Sequence, residues 1–239
     1  MQSRTRLRIS VVIPALNEAE SIGSVVRSVM QEARAPGPWN EIAECIVVDN
    51  GSTDATAEVA RAEGARVVTS PRGYGAACAA GAKAAVETSD VLMFLDGDGS
   101  DDVSAMPLLM GPMECGEADF VIGSRMRGRA EPGSLNAAQR FGARLIGVLV
   151  KLMYGFRYTD MGPFRVIRRD ALERMQMREM TYGWNLEMQV KAVKMGLRVV
   201  EIPVNSKCRI GGESKVSGNF AASVKAGARI LSVLVRVRS

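Results

Sequence analysis

Histidine is missing from all 239 residues of the chain. That excludes His-based nucleophilic triads and imidazole metal sites. Any general base must then be Asp or Glu, with Lys, Tyr or Cys as lesser alternatives, and any hard metal site must rest on carboxylates. Aromatic residues are only 5% and the basic residues are dispersed, too sparse for base-stacking platforms, so no nucleic-acid partner is expected. The four cysteines, Cys45, Cys78, Cys115 and Cys208, stand far apart with no Cys-x-x-Cys pair. This pattern argues against structural zinc and a disulfide scaffold, and suits a reducing cytoplasm. Long apolar runs are lacking too. Pro14, Asn17 and Glu18 interrupt the short N-terminal one, so neither a signal peptide nor a transmembrane span is expected.

What remains is the composition of a globular protein, 47% apolar and 24% charged, at a length that suits one domain over residues 1–239. The net charge of +5, carried mostly by arginine, suits anionic partners such as phosphorylated small molecules or a membrane surface. In the first half, to about residue 122, apolar runs at Leu7–Ile13, Ile42–Val48, Ala65–Thr69, Val91–Leu95 and Ala118–Ile122 predict strands. Helix-like segments separate them at about Glu18–Glu32, from the Asp49–Asp54 turn to Ala62, and Gly75–Thr88. Strand–helix alternation with continuously apolar strands predicts an α/β fold, a mostly parallel sheet with helices on both faces. Ligands of such sheets sit beyond the carboxyl ends of the strands. Pro14–Glu18, Asp49–Asp54 and Asp96–Asp102 are therefore expected around one rim. The second half, about 123–239, is less regular: helices over Asn136–Met153 and Trp184–Met195, strands over Phe164–Ile167 and Leu197–Val204, and a helix from about Phe220 to the end.

Leu92 to Ser100 is the most informative stretch, an apolar strand running into Asp96-Gly97-Asp98. The glycines let the turn curl so that both carboxylates approach one cation. Mg²⁺ or Mn²⁺ on one or two carboxylates completes its shell with water and substrate phosphates, and neutralises charge growing on a diphosphate leaving group. A calcium loop of the EF-hand kind fails, because counting from Asp96 puts Asp101 and Pro107 where Gly and Glu are required. No Walker A loop or kinase signature supports a phosphoryl-transfer aspartate. A plain Asp-Gly turn remains the alternative.

Val11-Val12-Ile13-Pro14-Ala15-Leu16-Asn17-Glu18, Val47-Val48-Asp49-Asn50-Gly51-Ser52-Thr53-Asp54 and Asp96-Gly97-Asp98, in this order, resemble family-2 inverting glycosyltransferases of the GT-A fold. Gly123-Ser124-Arg125, Asp160-Met161-Gly162-Pro163-Phe164-Arg165 and Gly212-Glu213-Ser214-Lys215 resemble its dolichyl-phosphate mannose synthase and polyprenyl-phosphate glycosyltransferase branch. The resemblance implies a GT-A sheet, a UDP- or GDP-sugar donor, Mg²⁺ or Mn²⁺, and a polyprenyl or dolichyl phosphate acceptor. A soluble hydroxyl acceptor is the alternative, ahead of a sugar-nucleotide pyrophosphorylase or a non-catalytic nucleotide-sugar-binding module. Pro14, Asn17 and Glu18 would line the nucleotide pocket, Asp49 would bond the base, and Gly75 would let backbone come close to the nucleotide. Asp96 and Asp98 would hold metal and diphosphate, with Ser100 as a further metal ligand. As plain structure, Asp49 caps the next helix and Gly75 merely opens its own.

Asp160 and Glu187 are the carboxylates best placed by motif to act as base, should the acceptor need one. Their structural alternatives are a turn or salt bridge for Asp160 and a solvated helix face for Glu187. Arg125 lies in a glycine-flanked loop suited to clamping phosphate, and Ser214 with Lys215 reads as a lid over it. Ala222–Ser239 is basic and amphipathic, and Asn136–Met153 shares that character. Each suits peripheral contact with the inner face of a membrane, or the covering of a sheet or oligomer interface. Pro163 interrupts the Gly-Phe-Arg run usual in the family, the C-terminal membrane spans of some polyprenyl-phosphate relatives are absent, and the Gln-x-x-Arg-Trp signature of processive synthases is missing.

Overall fold

The computed structural model describes residues 6–34, 40–211, 232–234 and 236. In chain order the elements are β1 (Leu7–Ala15), α1 (Ile22–Arg34), β2 (Asn40–Asp49), α2 (Thr56–Ala62), β3 (Arg66–Thr69), α3 (Tyr74–Ala84) and β4 (Val91–Phe94). There follow α4 (Met106–Glu114), β5 (Phe120–Ser124), α5 (Ala137–Tyr154), β6 (Arg165–Arg168), α6 (Arg169–Met175), α7 (Trp184–Lys194) and β7 (Val199–Pro203). The strands form one seven-stranded sheet in the order β3-β2-β1-β4-β6-β5-β7. It is the mostly parallel α/β sheet that the strand–helix alternation implies. Only β6 runs against its neighbours β4 and β5.

The strands read as continuous apolar runs because both faces are covered. Ile9, Val11 and Ile13 of β1 join Val25, Val26 and Val29 of α1 and Leu109 and Met113 of α4 in one core layer. Val12, Ile46 and Val48 turn to the other face and meet Ala77 and Cys78 of α3, with Ile146 and Val150 of α5 and Trp184 of α7. Alternation of side chains along each strand thus feeds two layers from one sheet.

Element ends moved where polar side chains compete with the helix. The helix expected from Glu18 begins at Ile22: Asn17 takes a left-handed φ of 53°, and the Ser21 and Ile22 amides bond the Glu18 carbonyl as the first turn forms. Asn136, by contrast, starts α5 with a full capping box, its side chain accepting from Gln139 N while Gln139 reaches back to Asn136 N. Helices α4 and α6 were not legible as periodic segments; Gly111 and Pro112 sit inside the first, and the second is only seven residues long. The expected helix from Phe220 lies largely outside the described residues, of which 232–234 and 236 are helical.

The strand directions decide which loops meet. Parallel β1, β2 and β4 deliver their carboxyl ends to one rim. Antiparallel β6 brings its amino end there, with Arg165 opposite Phe94, and β7 leaves beside Ser124 of β5. The 160–163 and 204–211 loops therefore reach the rim of the acidic turn from the far end of the chain.

Close packing of α3 on the sheet depends on Gly81. A Cβ there would overlap Val12 Cγ1 and stand 2.9 Å from Val48 Cγ2. Two short β-branched side chains inside a sheet cannot yield, so Gly81→Val should cost about 1–3 kcal/mol by overpacking. Urea denaturation followed by circular dichroism checks this, and an unchanged midpoint would show that α3 stands off the sheet.

Candidate active site

The rim encloses a cleft of about 680 Å³, within the usual range for small-molecule sites. Of the residues expected there, Pro14, Glu18, Asp96, Asp98, Ser100 and Arg125 line it. Tyr74, Asn50, Arg72, Asn185, Lys207 and Arg209 line it as well, unforeseen from sequence.

The acidic turn is the electrostatic centre. Asp101 folds back so that its Oδ2 accepts the Asp96 amide at 3.0 Å, and Asp98 Oδ1 accepts the Ser100 amide at 2.9 Å. Three carboxylates are thereby crowded at one strand end. Burial, then the charges of Asp98 and Asp101, push the Asp96 carboxyl well above its usual range. Burial likewise pushes Asp101 up to about 7. Asp96 Oδ1 is buried without a hydrogen-bond partner, as is the neighbouring Tyr74 hydroxyl. An orphaned buried carboxylate oxygen costs free energy unless something cationic meets it.

Two arginines answer this charge. The Arg209 guanidinium bridges Glu18 Oε1 at 3.0 Å and Asp98 Oδ2 at 2.9 Å. Its loop is drawn over the turn by Lys207 N to Ser100 O (3.0 Å) and Ile210 N to Asp98 O (3.1 Å). The second is Arg125, whose Nε and terminal nitrogen fork onto Asp160 at 2.8 and 2.9 Å. Burial alone would lower the Arg125 pKa, but Asp160, Asp101 and Asp96 hold it above the ordinary value. The donor set fits a hard divalent cation: Asp96 has an unmatched oxygen, and Asp98 Oδ2 already holds a positive group.

Neither of the two candidate bases lines the cleft. Asp160 is buried, and its oxygens accept from Arg125 and from the Arg125 and Met161 amides. It orients Arg125 and has no oxygen left for a substrate proton. Glu187 is not brought to the cleft. It is buried behind it, accepting the Arg178 and Glu179 amides at 3.0 and 2.7 Å and pairing with Lys191 at 2.9 Å. Its helix face is not solvated, and its carboxylate pins the segment that ends in cleft residues Thr181 and Tyr182.

Three further expected site residues make protein contacts of their own. Asn17 is exposed and clamps two rim loops, accepting Thr53 N at 2.8 Å while its amide donates to Ser52 Oγ at 3.0 Å. Asp49 Oδ1 takes the Ser52 amide at 2.9 Å, closing the turn, while Asn50 beside it lines the cleft. Close backbone approach at Gly75 exists, but to another segment: a Cβ would overlap the Glu179 carbonyl and lie 2.8 Å from the Met180 carbonyl carbon. Ser214 and Lys215 lie outside the described residues. A signal for Asp101 stood in the sequence, as the third acid of the turn; nothing local announced Arg209.

A family model described as glycosyl transferase family 2 matches residues 10–176, from mid-β1 to just past α6. The chain belongs to glycosyl transferase family 2. Membership makes it a glycosyltransferase, and the sheet is the Rossmann-like GT-A fold. An uncharacterised glycosyltransferase of Mycobacterium tuberculosis is 38% identical over 219 residues, 90% of this chain and 93% of the relative. Undecaprenyl-phosphate mannosyltransferase of Micrococcus luteus is 29% identical, covering 90% of this chain and 89% of its own length. Glucosyl-3-phosphoglycerate synthase of M. tuberculosis, crystallised with Mn²⁺, UDP-glucose and phosphoglyceric acid, superposes with a TM-score of 0.76 at 23% identity. It covers 98% of this chain and 80% of the synthase chain.

Two measurements test the charge balance. In the metal-free protein the folded state holds a proton on Asp101 up to about pH 7, whereas the unfolded chain releases it near 3.8. Between those values the folded state binds more protons, so stability falls as pH rises, and above them the loss is complete. Asp101→Asn, whose side-chain oxygen can still accept the Asp96 amide, should raise Tm at about pH 8 and leave it unchanged at about pH 4; a pH-independent difference would contradict this. Arg209→Ala removes the guanidinium from Asp98. Nucleotide-free Mn²⁺ binding, titrated by EPR, should tighten several-fold, and equal or weaker affinity would show that arginine and metal do not compete.

Proposed function

We propose that the chain transfers a sugar, with inversion, from a UDP- or GDP-sugar to the phosphate of a polyprenyl or dolichyl lipid. The observation that carries this reading is the balance of charge in the cleft. Among the described lining residues the carboxylates are Glu18, Asp96 and Asp98, and the cations are Arg72, Arg125, Lys207 and Arg209. Glu18 is paired with Arg209, and the other two are the metal candidates. No lining carboxylate remains for a general base, whereas four cations line the cleft, with Arg125 forked onto Asp160, Lys207 paired with Asp102 at 2.9 Å and Arg209 shared between Glu18 and Asp98. A phosphate oxygen is already a nucleophile and needs no base.

Asp96 and Asp98, with Ser100, would hold Mg²⁺ or Mn²⁺, which supplies neutralisation of the charge that develops on the departing nucleoside diphosphate. Pro14, Glu18 and Asn50 bound the donor side of the cleft. Arg125, fixed by its fork onto Asp160, presents its remaining donors to a phosphate without a large ordering cost. Moving off Glu18 and Asp98, Arg209 would be released to meet the diphosphate and help to exclude water. The name of the Micrococcus mannosyltransferase supports a lipid-phosphate acceptor. The ligands of the mycobacterial synthase support UDP-glucose, Mn²⁺ and a soluble acceptor as the second reading.

Asp98→Ala should lower transfer to undecaprenyl phosphate by at least about 100-fold and abolish the Mn²⁺-dependent thermal shift produced by UDP- or GDP-sugars. Retained activity would remove the acidic turn from the mechanism. Turnover with 3-phosphoglycerate, and none with the lipid phosphate, would replace the first reading by the second.

A further inference from the structure

Helix α5 carries more apolar surface than the core can use. Ala143, Ile146, Gly147 and Val150 are its buried residues, and they lie on one face at helical spacing. Diametrically opposite, at i, i+4, i+7 and i+11, stand Phe141, Leu145, Val148 and Leu152, all exposed, with Phe141 at 68% and Leu152 at 77%. Four large apolar side chains in one file form a contiguous patch rather than scattered surface residues. One flank of the file is cationic, with Arg140, Arg144 and Lys151 exposed along it. The helix contains no Asp or Glu.

We infer that this outer face of α5 docks the protein, helix axis in the bilayer plane, on a membrane surface containing anionic lipids. A helix with an apolar stripe and a cationic border inserts the stripe at the acyl boundary while its cations meet lipid phosphates. A second copy of the chain fits the same face poorly. An antiparallel two-fold contact along the stripe would set Arg140, Arg144 and Lys151 beside the same cations of the other copy, with no carboxylate on the helix between them. Ser134, Asn136 and Gln139, just before and in the first turn of α5, line the cleft, so the helix that carries the stripe starts at the cleft. The docking face is argued from α5 alone, so vesicle binding and transfer to a lipid phosphate are separate measurements and can fail separately.

The test is flotation of the full chain with phosphatidylcholine vesicles, with and without phosphatidylglycerol. Binding is expected only with the anionic lipid and should weaken with salt. The triple variant Phe141→Ser, Leu145→Ser, Leu152→Ser should lose it by about tenfold or more. Replacing Arg140, Arg144 and Lys151 with Gln should weaken it about fivefold for each cation removed. All six residues are exposed, and an unchanged Tm certifies the fold of each variant. A chain that stays in the aqueous phase with anionic vesicles, or binding untouched by the serine variant, overturns the proposal. So does a dimer in solution that the serine variant converts to monomer, since the stripe would then be a subunit interface.

Discussion

Everything at the functional end of this molecule answers one electrostatic problem, the crowding of Asp96, Asp98 and Asp101 where β4 ends. Burial first, and then neighbouring negative charge, pushes the Asp96 and Asp101 carboxyls up, and a buried anion is tolerated only if a cation or a proton meets it. Arg125 is held beside them by Asp160, and Arg209 lies directly on Asp98 and Glu18. Even so, Asp96 Oδ1 finds no partner. The metal-free site thus keeps a buried carboxylate oxygen without a donor, at an energetic cost that a cation would relieve.

The reversed strand β6 makes that arrangement buildable. Were it parallel to β4, Asp160 to Pro163 would lie at the opposite edge of the sheet. Running antiparallel, it sets this loop across from Phe94 and lets Asp160 reach Arg125. Arg165, fully buried, ties the same loop down through the Gly162 carbonyl and reaches α7 through the Asn185 carbonyl at 3.1 Å. Behind the cleft, Glu187 collects the Arg178 and Glu179 amides, while Glu179 accepts from Thr181 and pairs with Arg236 at 2.7 Å. Buried acids distant from the chemistry therefore hold the wall that carries Thr181 and Tyr182.

Particular residues show how far the sequence could be read. The strand ends and the Asp96-Gly97-Asp98 turn were legible because strand burial leaves a local imprint, an unbroken apolar run that stops at an acid. The roles of Asp160 and Glu187 were not, because a carboxylate's availability depends on which donors surround it. Asn17, Asp49 and Gly75 fall between. Each takes part in a contact that the sequence did not show: a loop clamp at Asn17, a turn at Asp49 and a backbone crossing at Gly75.

The sequence by itself determined the sheet class, the acidic strand end and, through the absence of histidine, that no imidazole takes part and a hard metal site must rest on carboxylates. Those properties are local, set by periodicity and residue type. Only the tertiary structure decided which carboxylates are spent and which remain. That choice turns on pairings such as Arg209 with Glu18, 191 residues apart, and Arg125 with Asp160, 35 apart. Partners at such separation are fixed by strand order and direction, which no local pattern encodes.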